Sequence, residues 1–440
     1  MVVTIATGAI SGVERSDPRT AAPHGATVTT PASALATAEP GVEPPPTSLG
    51  PSAALAAALD PVWSDTPGGC ISVVDGDRVL YEANDEATVV PASLTKLLTA
   101  AAALEGLGAD ARLRTEVRAA APPVDGVVAG DLWLVGGGDP VLGTDVWASQ
   151  MDSSPPPHTS LDVLADRVVA AGVRRVEGRV VGDESRYDAE RYVDTWPDRL
   201  IADGEVGPLS ALTVNDGFLI WGHPGVPFDD PPTDAAVVFA ELLAARGVSF
   251  TAPADAGPAG AGAVEVAAVE SPTVGELVQA MLRDSDNGTA ELLVKELGLQ
   301  RFGQGSTAAG VRAVGEILTR AGIPLAGVIL ADGSGLSDAA RLTCTSVTTL
   351  LTMKSADLAG MLAVAGRDGT LARRFVGTPV AGRLRAKTGS LDGVAALGGY
   401  VDNRSGTTLA FAYVVNGLTH GSSASSLQDA LAAALVSIAP

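Results

Sequence analysis

The chain has 440 residues, is 46% hydrophobic and carries 29 Lys+Arg against 51 Asp+Glu, a formal net charge of −22. That length and apolar share suit a globular protein of two or three domains with a large core. The acidic balance argues against nucleic acid, which needs basic patches, and disfavours an anionic membrane surface, but a few local cations can still govern one cleft.

Residues 1–51 are rich in Pro, Ala, Thr and Ser, with Pro44-Pro45-Pro46 among them, and lack sustained periodicity. They read as a disordered tether. Val2 to Ile10 is apolar but short, with no basic residue before it, so no clear signal peptide is visible. No stretch approaches transmembrane length. Order is expected from Ala53-Ala54-Leu55, a short helix. Cys70 to Val74 and Arg78 to Tyr81 flank Asp75-Gly76-Asp77, a hairpin pattern. Pro91 then introduces a helical run, Ala92 to Leu104, with Gly106 beyond it.

From 112 to 270 the character changes. Short Val-rich strand candidates such as Gly130 to Val135 and Arg175 to Val181 alternate with Gly and Pro, with one helix at Asp234 to Arg246. This region reads as a β-rich insertion. Helices return at Pro272 to Arg283, Thr289 to Leu297 and Ala308 to Ala321. A meander follows (Gly382 to Thr388, Ala395 to Val401, Thr408 to Val415), and a helix from Ser425 to Ile438 closes the chain. The hairpin and the meander predict about five antiparallel strands, flanked by helices from both ends of the chain. The expected division is therefore 52–111 and 271–440 in one α+β domain, interrupted by 112–270.

The cations are unevenly chosen. Only four are lysines: Lys96, Lys295, Lys354 and Lys387. Arginine cannot act as a base at workable pH, whereas a desolvated lysine can lose its proton. Lys96 lies three residues after Ser93, which on a helix places both side chains on one face. A serine hydroxyl becomes an effective nucleophile when a neighbouring base takes its proton. With 29 serines and four lysines, about 0.26 such pairs are expected by chance, so the pair alone decides little. Ser285-Asp286-Asn287 falls between two predicted helices, where it could cap a helix or present a hydroxyl and an amide to a cleft. Lys387-Thr388-Gly389 lies on a predicted strand, where Gly marks close approach of another backbone or a ligand, and an edge-strand polar pair is the bland alternative.

The four histidines are scattered without ligand spacing, and no C-x-x-C occurs, so neither a metal nor a cofactor is expected. Cys70 and Cys344 would pair in an exported protein and stay free in a cytosolic one, which the sequence leaves open.

In order and placement the three motifs resemble the signature set of penicillin-binding proteins and class A β-lactamases. Ser93 and Ser285 are 192 residues apart, too far for a compact β-lactamase. The spacing resembles that of the D-alanyl-D-alanine carboxypeptidase/endopeptidase family, the class C low-molecular-mass penicillin-binding proteins. Further stretches look like that family: Gly136 to Pro140, Val181 to Ser185, Leu209 to Leu212, Asp332 to Leu336 and Ala365 to Leu371.

The resemblance implies a β-lactamase/DD-peptidase-like fold. It also implies a penicillin-inhibited serine peptidase acting outside the cytoplasm on peptidoglycan stem peptides that end in D-Ala-D-Ala. Ser93 would form the acyl-enzyme, Lys96 receive its proton and Ser285 relay a proton to the leaving amine. Asn287, Lys387, Thr388, Gly389 and Ser390 would bind substrate, with Ser93 and Ser390 N–H groups as the oxyanion hole. β-Lactam antibiotics would be ligands. The alternatives are a β-lactamase and a catalytically inactive cell-wall-binding protein. Glu291 and Glu296 sit on a predicted helix rather than in a deacylating loop, which disfavours fast β-lactam hydrolysis.

Overall fold

The computed structural model describes residues 51–66, 68–151, 157–220, 225–419 and 424–437. The expected N-terminal tether up to residue 50, including the Val2 to Ile10 segment, and the last residue of the predicted closing helix lie outside the described residues, while Pro51, the tether's expected last residue, begins a helix.

Three strands of the central sheet, over residues 69–75, 394–402 and 408–416, are buried at nearly every position rather than at alternate ones. Helix α1 (Pro51–Ser64) leads into β1 (Gly69–Asp75) and β2 (Arg78–Ala83). A 3₁₀ turn (Ala92–Leu94) opens α2 (Thr95–Gly106). After the insertion come α3 (Val274–Asp284), α4 (Asn287–Phe302), α5 (Thr307–Arg320) and α6 (Cys344–Met353). The chain then forms β3 (Ala363–Val364), β4 (Leu384–Leu391), β5 (Val394–Asp402), β6 (Thr408–Asn416) and α7 (Ala424–Ser437). The strand order is β3-β4-β5-β6-β1-β2, antiparallel throughout.

Successive strand residues point to opposite faces, so a sheet covered on both sides needs continuous apolar strands. On one face Cys70, Val74, Ala410, Ala412 and Val414 join residues of α2 to α6 in one core. On the other, Ile71, Val73, Leu409, Phe411, Tyr413 and Val415 meet α1 and α7. Small residues recur on the first face, where the site-bearing helix α2 comes close. Six strands form, not the expected five, because Ala363–Val364 adds a two-residue edge too short to read from sequence. Cys70 and Cys344 form a disulfide that ties β1 to the start of α6 across 274 residues of chain.

Residues 112–273 build other sheets. Strands Asp255–Ala256, Val180–Asp183, Leu132–Val135, Arg112–Ala119 and Val264–Thr273 lie side by side in that order. The single strand expected over 175–181 is two, Arg175–Val176 and Val180–Asp183, and they belong to different sheets. Two helices, Leu161–Ala170 and Pro231–Ala245, share a core with these strands. The first was not expected, so the insertion is more helical than its valine content suggests. Its signal is present: Leu161, Leu164, Ala165 and Val168 recur at helical spacing behind the capping Ser160. Part of the insertion packs back on α4. Tyr187, Trp196, Leu200, Leu209 and Ala211 form a small core with Leu292 and Leu336.

A candidate serine–lysine active site

Ser93 is the middle residue of the 3₁₀ turn at the mouth of α2, where Ala92 takes φ 48°, an uncommon conformation for a side-chain-bearing residue. Gly335 makes that turn possible: at φ +81° its ideal Cβ would stand 2.0 Å from the Ala92 carbonyl oxygen. One helical turn on, Lys96 is fully buried. Its Nζ donates to Ser93 Oγ (3.0 Å), Asn287 Oδ1 (2.6 Å) and the Ser334 carbonyl (2.7 Å). Burial lowers its pKa from 10.5 to about 8, against the pull of Asp332, Glu291, Asp286 and Glu205.

Helices α3 and α4 break at Ser285, which is left-handed (φ 65°, ψ 30°). Such a conformation costs a non-glycine residue roughly 1–2 kcal/mol. It directs the hydroxyl to Lys387, whose Nζ lies 2.8 Å from Ser285 Oγ and also donates to the Thr388 carbonyl at 2.7 Å. Both uses of this motif occur together. The Asp286 side chain caps α4 through the Thr289 N–H, while Asn287 reaches across with its amide donating to the Glu205 carbonyl at 2.7 Å. Lys387 is fully buried, and burial first, then the charge of Lys96, hold its pKa well below the ordinary value.

Gly389 lets β4 approach Ser93. An ideal Cβ there would stand 3.1 Å from Ser93 N and 3.2 Å from Ala92 Cβ. Thr388 Oγ1 lies 2.9 Å from Thr370 Oγ1. Ser93, Ser285, Asn287, Thr388, Gly389 and Ser390 line a single cleft of about 420 Å³, with Lys96 and Lys387 beneath it. All eight residues singled out from the sequence therefore meet at one place.

Sequence reasoning passed over the rest of the cleft. Arg199, Leu200 and Glu205 from the insertion, Leu336, Thr370 and Asp392 are among its other lining residues. No motif marks them, although Leu336 and Thr370 lie in stretches already noted for their family resemblance. Neither Glu291 nor Glu296 lines the cleft. Glu296 is held by Arg186 and Tyr187 of the insertion, and Glu291 accepts backbone N–H groups behind Lys96. The other two lysines serve ion pairs: Lys295 with Asp188, and Lys354 with Glu105.

An antiparallel sheet between helical layers, with a Ser–Lys pair at the foot of a buried helix and a Lys-Thr-Gly strand beside it, is the β-lactamase/DD-peptidase class of fold. The chain belongs to the D-Ala-D-Ala carboxypeptidase 3 (S13) family, whose model matches residues 53–222 and 225–437. It is 32% identical over 367 residues to "D-alanyl-D-alanine carboxypeptidase" of Actinomadura sp. (strain R39), covering 66% of this chain and 65% of that protein. It is 34% identical over 366 residues to "Carboxypeptidase DacB" of Mycolicibacterium smegmatis, covering 79% and 73%. The chain thus spans just under two thirds of the Actinomadura relative. Among solved structures, penicillin binding protein 4 from Haemophilus influenzae superposes with a TM-score of 0.73 at 19% identity, over 85% of this chain and 97% of that one. A predatory peptidoglycan endopeptidase from Bdellovibrio bacteriovorus gives 0.54 at 16% identity, over 83% and 91%. Among the described residues no helix is long and apolar enough to cross a membrane.

Proposed function

We propose that the chain is a serine-type D-Ala-D-Ala carboxypeptidase/endopeptidase that cleaves peptidoglycan stem peptides through an acyl-enzyme on Ser93 and is inhibited by penicillin. The observation that carries this reading is the contact of one buried lysine with Ser93 Oγ and Asn287 Oδ1, beside a second buried lysine on Ser285 Oγ. Lys96, about half neutral at pH 8, takes the Ser93 proton in its neutral form as Oγ attacks the carbonyl carbon between the two alanines. The Ser93 and Ser390 N–H groups receive the oxyanion, where preorganised donors count most. Ser285, backed by Lys387, passes a proton to the departing amine, and D-Ala leaves. Water then attacks the ester, and the Ser93 hydroxyl is restored. Asn287 holds the substrate amide, and Lys387 with Thr388 receives the terminal carboxylate. Gly389 leaves room for the substrate backbone along β4.

The names of the relatives support the substrate class. The disulfide supports an extracytoplasmic location, since such bonds persist in oxidising compartments. The division of the chain into a catalytic part (52–111 and 271–440) and an insertion (112–270) belongs to the same proposal, supported by their separate sheets and cores. The test is covalent labelling by a fluorescent penicillin. The wild-type protein is expected to label and Ser93→Ala to stay dark; an unlabelled wild type refutes the reading. Digestion of cross-linked and uncross-linked muropeptides then separates endopeptidase from carboxypeptidase action.

A further inference from the structure

Behind Lys96, on the side away from the cleft, lie two carboxylates that the mechanism above does not use. Glu291 and Asp332 are 0% and 1% exposed. Their partners are mainly N–H donors, and the Ser334 hydroxyl also bonds Glu291. Glu291 Oε1 accepts from Gly333 N at 3.0 Å and Ser334 N at 2.7 Å, and Oε2 accepts from Gly333 N at 3.2 Å. Asp332 accepts from Gly335 N (2.8 Å), Ser337 N (2.8 Å) and the Trp196 indole (2.9 Å). The loop they hold, residues 332–337, sends one carbonyl to the site: Ser334 O, 2.7 Å from Lys96 Nζ. The neighbouring Gly333 carbonyl is fixed from α2 itself by the Thr99 hydroxyl at 2.7 Å.

We propose that Glu291 and Asp332 are positioning residues for Lys96: they clamp the 332–337 loop so that the Ser334 carbonyl aims Nζ at Ser93, and their negative field sets the lysine's proton affinity. A loop held only for stability could be capped by neutral groups. Two buried acids this close repel one another, and burial with that repulsion raises the pKa of Glu291, while Asp332 is raised by burial. Such an arrangement is expensive unless a cation is nearby to profit from it. Lys96 is that cation. The charged groups that act on it are Asp332 from the loop, Glu291 and Asp286 from α4 and its cap, Glu205 from the insertion and Lys387 from β4. Only Asp332 and Glu291 both lie outside the cleft and contact the loop that touches Nζ.

The proposal rests on Ser93 acylation, so its test begins with that reaction. The rate of labelling by fluorescent penicillin is measured against pH for wild type and Glu291→Gln. The amide keeps the shape of the clamp, removes a carboxyl whose burial beside Asp332 raises its pKa to about 8, so that it ionises over the same pH range as Lys96, and turns a donor toward Gly333 or Ser334. Less negative charge near Lys96 means a lower pKa. The rising limb should therefore move to lower pH by about half a unit, since Glu291 is only partly ionised where the limb rises, and the plateau should fall roughly tenfold as Nζ loses its aim. Thr99→Val, which loosens the same loop without touching charge, should lower the plateau and leave the limb in place. A Glu291→Gln limb that superimposes on wild type overturns the proposal, while an unlabelled wild type overturns the acyl-enzyme reading instead. If Glu291→Gln does not fold, Trp196→Phe takes its place. It removes one donor that favours ionised Asp332, so a smaller shift in the same direction is expected, and an unmoved limb again overturns the proposal.

Discussion

Under the proposed mechanism, the burial of Lys96 sets the pH dependence of Ser93 acylation. An ordinary lysine with a pKa of 10.5 is unprotonated in only about one molecule in 3,000 at pH 7. Lowered to about 8, Lys96 is neutral in about one molecule in ten. The difference is worth roughly 300-fold in available base, about 3 kcal/mol. The sign is that of a cation destabilised by burial: the active, neutral form accumulates as pH rises through the folded-state pKa. Labelling by a fluorescent penicillin should accelerate about fivefold from pH 7 to 8 and about tenfold from pH 7 to 9, with its midpoint near 8. Lys387 is coupled to this titration, its own pKa being held well below the ordinary value by burial first and then by Lys96. The charge of Lys96 is one cause of its lowered pKa, so freeing the base removes that repulsion and favours a cationic anchor for the substrate carboxylate. Lys96→Arg keeps a charge but no accessible base, and should cost at least about a thousandfold at every pH. Stopped-flow acylation kinetics between pH 6 and 10 measure both effects. A flat wild-type profile, or a midpoint near 10.5, would refute the argument that burial activates Lys96.

Gly389→Ala places a methyl 3.1 Å from Ser93 N and from Ala396 Cβ, so β4 must retreat from the nucleophile. Acylation should slow by roughly a hundredfold while the melting temperature moves little; a rate within twofold of wild type would show that the close approach is unimportant. Replacing Cys70 and Cys344 by Ser opens a link spanning 274 residues. Chain entropy puts its worth at about 5 kcal/mol, the upper end of measured values. The variant should unfold at lower denaturant, and addition of a reductant should bring wild type to the same midpoint; coincident curves without reductant would contradict this.

The central sheet and the helices that carry the site were legible because each rests on a strong local pattern. The hairpin has its Asp-Gly-Asp turn, α2 has Pro before and Gly after, and β5 and β6 are unbroken apolar runs. Helix α6 was not legible. Its sequence, from Cys344 to Met353, contains four threonines and a valine, residues that lose rotamer freedom in a helix. It is helical because tertiary context overrides propensity. A capping box from Thr343 and Ser346 closes its first turn, the disulfide anchors its first residue, and Val347, Leu350 and Leu351 enter the core under β1 and β6.

Motif spacing led to every residue at the cleft floor and to almost none of its wall, for a physical reason. The floor residues must supply particular functional groups, so side-chain identity is constrained and a pattern survives. The wall works mainly through backbone and shape: Glu205 offers Asn287 its carbonyl, which any residue could provide. Leu200 and Leu336 pack against Trp196 and Tyr187 as one apolar cluster. The Arg199–Asp392 ion pair, 2.8 Å long and exposed, joins the insertion to the turn after β4 at the cleft edge. Such a pair is weak in water, so the wall owes its position to the buried cluster beneath it. Glu296, gripped by Arg186 and Tyr187, fixes that cluster to the same helix α4 that presents Asn287. The insertion is therefore tied to helix α4, and through the Glu205 carbonyl to Asn287 at its start.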